Sequence, residues 1–301
     1  MFRKLIIPAF FSMLTTGSFA QSSTTDIWLV DIEMRSEKPY PSIPVRITQN
    51  DFYDNQPAFS SDGSLLYYAS MPDTIQSDIF EYNIRKKSYR QLTNTLESEF
   101  QPQIIPYDKK KISVVRVDLD KAQRFYSIDI LDGAVSSDPL MPNEDSVAYY
   151  CWMNDTTVGA YMLNGQGGSL HQFDMKPQQS IILMSNGGFG RCLLRVPGSD
   201  MLSYVQKGAD GKNTLMTYDM YTEERMPVCE LPEGVEDYAW GTKGKLYAGA
   251  NGRLYFYDIE STDLKWAEVA NWEKITGNFY RIAMSKDGNK LAIVTYKGDK
   301  P

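Results

Sequence analysis

The stretch Asn55-Gln-Pro-Ala-Phe-Ser-Ser-Asp-Gly-Ser-Leu-Leu-Tyr-Tyr-Ala-Ser70 constrains the fold most, because imperfect copies of it recur along the chain. Pro57 suits the start of a strand, where no ladder N–H is needed. Asp62-Gly63 supplies a tight turn, since glycine takes positive φ at no steric cost. Leu65 to Ala69 is apolar on both alternating faces, the pattern of a strand covered on each side. A third strand follows from Asp78 to Ile84.

Comparable turns occur at Asp62-Gly63, Asp108-Lys109, Asn154-Asp155, Ser199-Asp200, Lys243-Gly244 and Asp287-Gly288, a period of about 45 residues that matches a propeller blade. Each third strand ends in an apolar or aromatic residue, then Asp or Asn, then Ile or Met: Tyr82-Asn83-Ile84, Ile128-Asp129-Ile130, Phe173-Asp174-Met175, Tyr218-Asp219-Met220 and Tyr257-Asp258-Ile259. A sixth copy, around Asp31-Ile32, precedes them all. Outer strands are predicted at 42–48, 89–93, 180–185 and 226–231. The two series are out of phase at the ends. The N-terminus has third and fourth strands without a first pair, and Tyr280 to Tyr296 has the first pair with nothing after it. Joined, they complete one unit, and a ring so closed leaves only short, protected edges. The expectation is an all-β, six-bladed β-propeller of four-stranded blades, with N-terminal strands completing the last blade. The predicted organisation is a signal peptide over 1–20 and one domain over 21–301, with units near 53–97, 98–143, 144–186, 187–232, 233–275, and 276–301 plus 26–50.

Residues 56–70 with Ser77-Asp78-Ile79-Phe80, and Arg281 to Ala292, resemble the Pro-x-aromatic-Ser-Pro-Asp-Gly repeat of TolB-like, WD-repeat-like six-bladed propellers of the bacterial cell envelope. Ser61 and Lys286 replace the usual second proline. The resemblance implies a periplasmic interaction role. It carries no catalytic residues, because the repeat is structural.

Arg3 and Lys4 precede an apolar run from Leu5 to Leu14, and Gly17-Ser18-Phe19-Ala20 ends in small residues, the pattern of a secretory signal cleaved after Ala20. The run is too short to span a bilayer, so an exported, periplasmic or secreted chain with no membrane span is expected. Loss of Arg3 and Lys4 takes the formal charge from −7 to −9, which opposes binding to phosphate backbones and so excludes nucleic acid as a partner. Cys151, Cys192 and Cys229 are too few for a disulfide framework. They read as buried free thiols, and their scatter gives no metal site.

No motif carries chemistry. His171, the one histidine, lies two residues from Ser169, but a triad needs converging elements and an oxyanion hole, and no Gly-x-Ser-x-Gly elbow is present. Asp118-Leu119-Asp120 and Glu97-Ser98-Glu99 read as solvated loop charges. The expectation is a non-enzymatic chain without cofactor or metal. The loops leading into the innermost strands surround one mouth of the channel, placing there Asp54, Asn55 and Gln56; Glu99 and Gln101; Glu144 and Asp145; Asn186; Glu236 and Asp237; and Asn278, with Tyr53, Phe100, Tyr149, Tyr238 and Tyr280 among them. An acidic, amide-rich, tyrosine-bearing rim concentrates cations. It predicts a basic peptide of an envelope protein, a cation or a sugar as ligand. Three functions stay open: a protein-interaction scaffold, a carbohydrate-binding or glycan-processing propeller, and a purely structural module.

Overall fold

The computed structural model describes residues 24–297 except 74, 164, 166, 186 and 187, so the expected signal at 1–20 and the candidate Asn186 lie outside the described residues. The repeated serine and aspartate build their turn directly. Ser60 Oγ donates to Asp62 Oδ1 at 2.7 Å and accepts from Leu65 N at 2.9 Å, while Gly63 N reaches Ser60 O. Ser285, Asp287, Gly288 and Lys290 repeat these bonds atom for atom. Gly63 and Gly288 hold φ of 70° and 73°, the left-handed region that glycine enters freely. In the second unit the turn falls at Pro106-Tyr107 rather than Asp108-Lys109, because Pro106 presets the turn's φ and Asp108 already begins the next strand.

The carboxylate or amide closing each third strand has an equally local cause. Asn83, Asp129, Asp174 and Asp258 accept a backbone N–H two or three residues on, as does Asp219. These Asx turns hand the chain to the outer strand.

Six antiparallel sheets result. Blade one is Tyr53–Phe59, Leu65–Met71, Asp78–Asn83 and Ser88–Gln91. Blade three spans Val147–Trp152 to Gln179–Ser185, blade four Phe189–Arg195 to Arg225–Glu230, and blade five Tyr238–Trp240 to Ala267–Asn271. Blade two has three laddered strands, Ser98–Ile105, Asp108–Val117 and Gln123–Asp129. Residues 134–140 run irregularly in the fourth place, held by the Ile128–Val135 bridge and by Ser136 N to Ser127 O; Pro139 has no N–H for a ladder. Blade six closes the ring: Phe279–Met284 and Lys290–Tyr296 pair onward with Thr25–Arg35, matching Ile27 to Val294 and Val30 to Leu291. Lys38–Pro41 and Val45–Arg46 flank that N-terminal strand.

The core is six layers, one per joint between blades. Leu66 and Tyr68 pack on Ile27, Ala292 and Val294 of blade six, while Tyr67 and Ala69 face Ile112, Val114 and Tyr126 of blade two. This explains the doubly apolar second strand. Two joints carry a shared polar pin: Ser113 Oγ meets Tyr150 OH and Trp152 Nε1, both at 2.9 Å, and Ser203 Oγ meets Tyr238 OH and Trp240 Nε1 at 2.7 and 2.8 Å.

Ring closure gives a stability prediction. Ile27 is fully buried and Val45 is 60% exposed on the same sheet. Ile27→Ala is expected to cost about 3 kcal/mol in urea unfolding, against under about 0.5 kcal/mol for Val45→Ala; equal losses would show that the N-terminal strand does not close the ring.

Candidate functional site

Five of the six innermost strands break register near their starts: between Asn55 and Ala58, Phe100 and Gln103, Val147 and Tyr149, Phe189 and Leu193, and Phe279 and Arg281. Bulges re-aim side chains and often border functional sites. Gln56 and Gln101 hold φ of 55° and 53° there, which is costly for a residue with a Cβ. Amide bonds offset the strain. Gln56 N donates to Asn55 Oδ1, Gln56 Oε1 accepts from Gln101 N at 2.9 Å, and Gln101 Nε2 donates to Tyr150 O at 3.0 Å.

Six side chains, one per blade, line the central channel at this level: Gln56, Gln101, Tyr149, Arg191, Asp237 and Arg281. Asp237 Oδ2 lies 3.4 Å from Arg281 Nε and 3.5 Å from Arg191 Nε. Arg281 also donates to Asn55 Oδ1 at 3.2 Å, and Arg191 to Tyr280 O at 3.3 Å while its guanidinium stands over the Tyr280 ring. Two guanidinium groups face one carboxylate, so the ring is cationic. From it a cavity of 730 Å³ extends past Phe59, Ile104, Trp152, Leu194 and Met284 to the turns joining first and second strands, where Pro106, Pro197 and Lys286 stand. Its open end is therefore opposite the loops that lead into the innermost strands.

The structure brings together only part of the expected rim. Gln56, Gln101, Tyr149 and Asp237 share the ring, and Asn55 and Tyr280 stand behind it, joined by a 2.6 Å bond from Asn55 Nδ2 to the Tyr280 hydroxyl. Asp54 is buried, accepting from Ser70 Oγ at 2.6 Å, and burial pushes its pKa up to about 6. Glu99 is buried rather than solvated, accepting from Thr95 Oγ1 at 2.5 Å and Thr93 Oγ1 at 3.1 Å. Tyr238 is the buried pin to Ser203. Asp145 and Asn278 are exposed, and Glu236 pairs with Lys207 at 2.8 Å; Glu144 accepts from Ser180. None of these last four lines the cavity.

The two arginines lie outside the rim expected from the sequence, although Arg281 stands four residues before Ser285, as Gln56 stands four before Ser60. A charged residue inside an apolar innermost strand was the readable signal. Away from the channel, Ser169 Oγ meets His171 Nε2 at 2.8 Å on one strand, with no hydrogen-bond partner for Nδ1 among the described residues and burial lowering the imidazole pKa. Asp118 is held by Arg116 and Arg124, both at 2.6 Å, not solvated. All three cysteines are free; Cys151 and Cys192 are buried along the channel wall, and burial pushes the Cys151 thiol up to about 12. Among the described residues no cluster of three or more His, Cys, Asp or Glu could hold a metal, and no helix is long and apolar enough to cross a membrane.

Glu99 gives a pH-dependent prediction. Burial, reinforced by the like charge of Asp78 in blade one and only partly offset by the hydrogen bonds from Thr95 and Thr93 and by the charge of Arg116, raises its pKa from 4.5 to about 8. A raised acid favours the fold when protonated, so its contribution is complete below pH 4.5 and is lost as pH rises through about 8. Glu99→Gln is therefore expected to match the parent at pH 4.5 and exceed it by about 2 kcal/mol or more at pH 8.5 in urea unfolding. A parent that gained on the variant with rising pH would contradict this.

No family model matches the chain, and no curated protein matches it. Among solved structures, a putative TolB from Agrobacterium tumefaciens superposes with a TM-score of 0.70 at 12% identity, covering 93% of this chain and 100% of that one. TolB from Acinetobacter baumannii gives 0.59 at 12%, and this chain, 93% covered, spans 66% of its length. A gluconolactonase of Xanthomonas campestris gives 0.58 at 9%, covering 93% and 99%. These likenesses establish a TolB-like six-bladed propeller fold, one that carries enzymes as well.

Proposed function

We propose that this chain is a non-enzymatic protein-binding module of the cell envelope, exported through the signal at residues 1–20, that receives a segment of a partner protein in its central channel. The observation that carries this is the channel itself. It is closed down by the ring of Gln56, Gln101, Tyr149, Arg191, Asp237 and Arg281 at one level, and its walls beyond are apolar and aromatic. Few oriented polar groups at the base of an apolar concavity of this size are what a ligand pocket needs. Asp237 is the one carboxylate among the described lining residues, so glycoside cleavage, which uses two facing acids, has no second acid there. The acidic rim does not form one surface, and the binding role moves from the loops to the channel floor and walls.

A photo-crosslinking residue at Ala58, on the channel wall, is expected to capture a partner from envelope extract, and Ala283→Trp, which narrows the channel beside the ring, to abolish the capture. The same crosslinker at Ile182, exposed on an outer strand, should capture nothing. Equal capture from both positions, or none from Ala58, would exclude the channel as the binding site.

A further inference from the structure

The charge on the channel floor is opposite to that of the chain. The whole carries −7, yet the ring sets Arg191 and Arg281 against Asp237 alone. The guanidinium groups are also poorly satisfied. Together they present about ten N–H donors, and among the described residues they make three hydrogen bonds, at 3.2, 3.3 and 3.4 Å, all longer than the usual N⁺–H···O⁻ distance. The Nε of Arg191 is buried without a hydrogen bond. Their side chains keep 26% and 14% exposure, and both line the cavity. A guanidinium fork matches a planar carboxylate in two parallel bonds. One such charge balances the ring, whereas a doubly charged phosphate would exceed the ring's net charge by one.

We propose that Arg191 and Arg281 seat a carboxylate of the incoming peptide, either an Asp or Glu side chain or the C-terminal carboxyl. The carboxylate replaces the long contacts to Asn55 and the Tyr280 carbonyl with short charge-assisted ones, and the apolar residues beside it lie along Ile104, Leu194 and Met284. Recognition of acid thereby opposes the long-range repulsion of an acidic protein and works only at the channel floor. This rests on the binding reading given above and names what that site selects.

The test is fluorescence-polarisation binding of heptapeptide pools to the full chain, with free or amidated C-termini and with or without internal Asp and Glu. Pools carrying a carboxylate are expected to bind, and the fully neutral amidated pool is not; whether free ends or internal acids account for binding tells the two sources apart. Arg191→Gln should weaken binding about tenfold or more. Asp237→Asn removes the competing carboxylate and should tighten it severalfold, a gain that a misfolded variant cannot produce. Binding that Ala283→Trp blocks but that is indifferent to carboxylates, or that weakens in Asp237→Asn, would overturn this inference and leave the channel reading standing. Retention of glucuronate or phosphate without any peptide would also overturn it. If no pool binds and the Ala58 crosslinker captures nothing, both fall together.

Discussion

Seven consecutive residue pairs, from Thr25 opposite Tyr296 to Asp31 opposite Lys290, turn a row of sheets into a ring. Every other blade is made from contiguous chain, and this one alone joins residues more than 250 positions apart. Without that ladder the apolar faces of Leu66 and Tyr68 on one side, and of Ala292 and Val294 on the other, would end against water. Burial at each joint presupposes the next, so the last joint supports all six.

Closure also creates the channel and the need to fill its centre. Straight innermost strands would converge on the axis with whatever side chains their pleat supplied. The bulges at Gln56, Gln101, Tyr149, Arg191 and Tyr280 instead aim chosen groups inward. Positive φ at two glutamines is held by an amide chain running from blade one through blade two to blade three. On the opposite side of the ring the corresponding work is done by charge, with Asp237 shared between two arginines. One half of the floor is neutral and linked by amide hydrogen bonds; the other is cationic, its guanidinium groups held by long contacts.

The fold was legible because its constraints are local. Ser60, Asp62 and Gly63 close a turn by bonds among themselves, and Asn83 or Asp129 starts the next one with its own side chain. Such residues repeat wherever the turn repeats, whatever the surroundings. The channel floor was less legible, because distance before a turn does not reveal which way a bulged strand points. Asp54 and Asn55 are neighbours, yet one is buried against Ser70 and the other reaches the ring. Glu99 looked like a loop charge because its burial comes from Thr93 and Thr95 of the preceding connection, contacts that no period announces. Where Pro106 replaced the usual turn pair, the strand shifted with it.

The Tyr-x-Trp pairs at Tyr150 and Trp152, and at Tyr238 and Trp240, each grip one serine of the preceding blade. Dispersion between apolar layers tolerates sliding, but two hydrogen bonds meeting at a single hydroxyl fix both height and angle. Blades two and three, and blades four and five, are thus locked as couples. The walls of the channel inherit their spacing from two hydroxyl groups that never touch its contents.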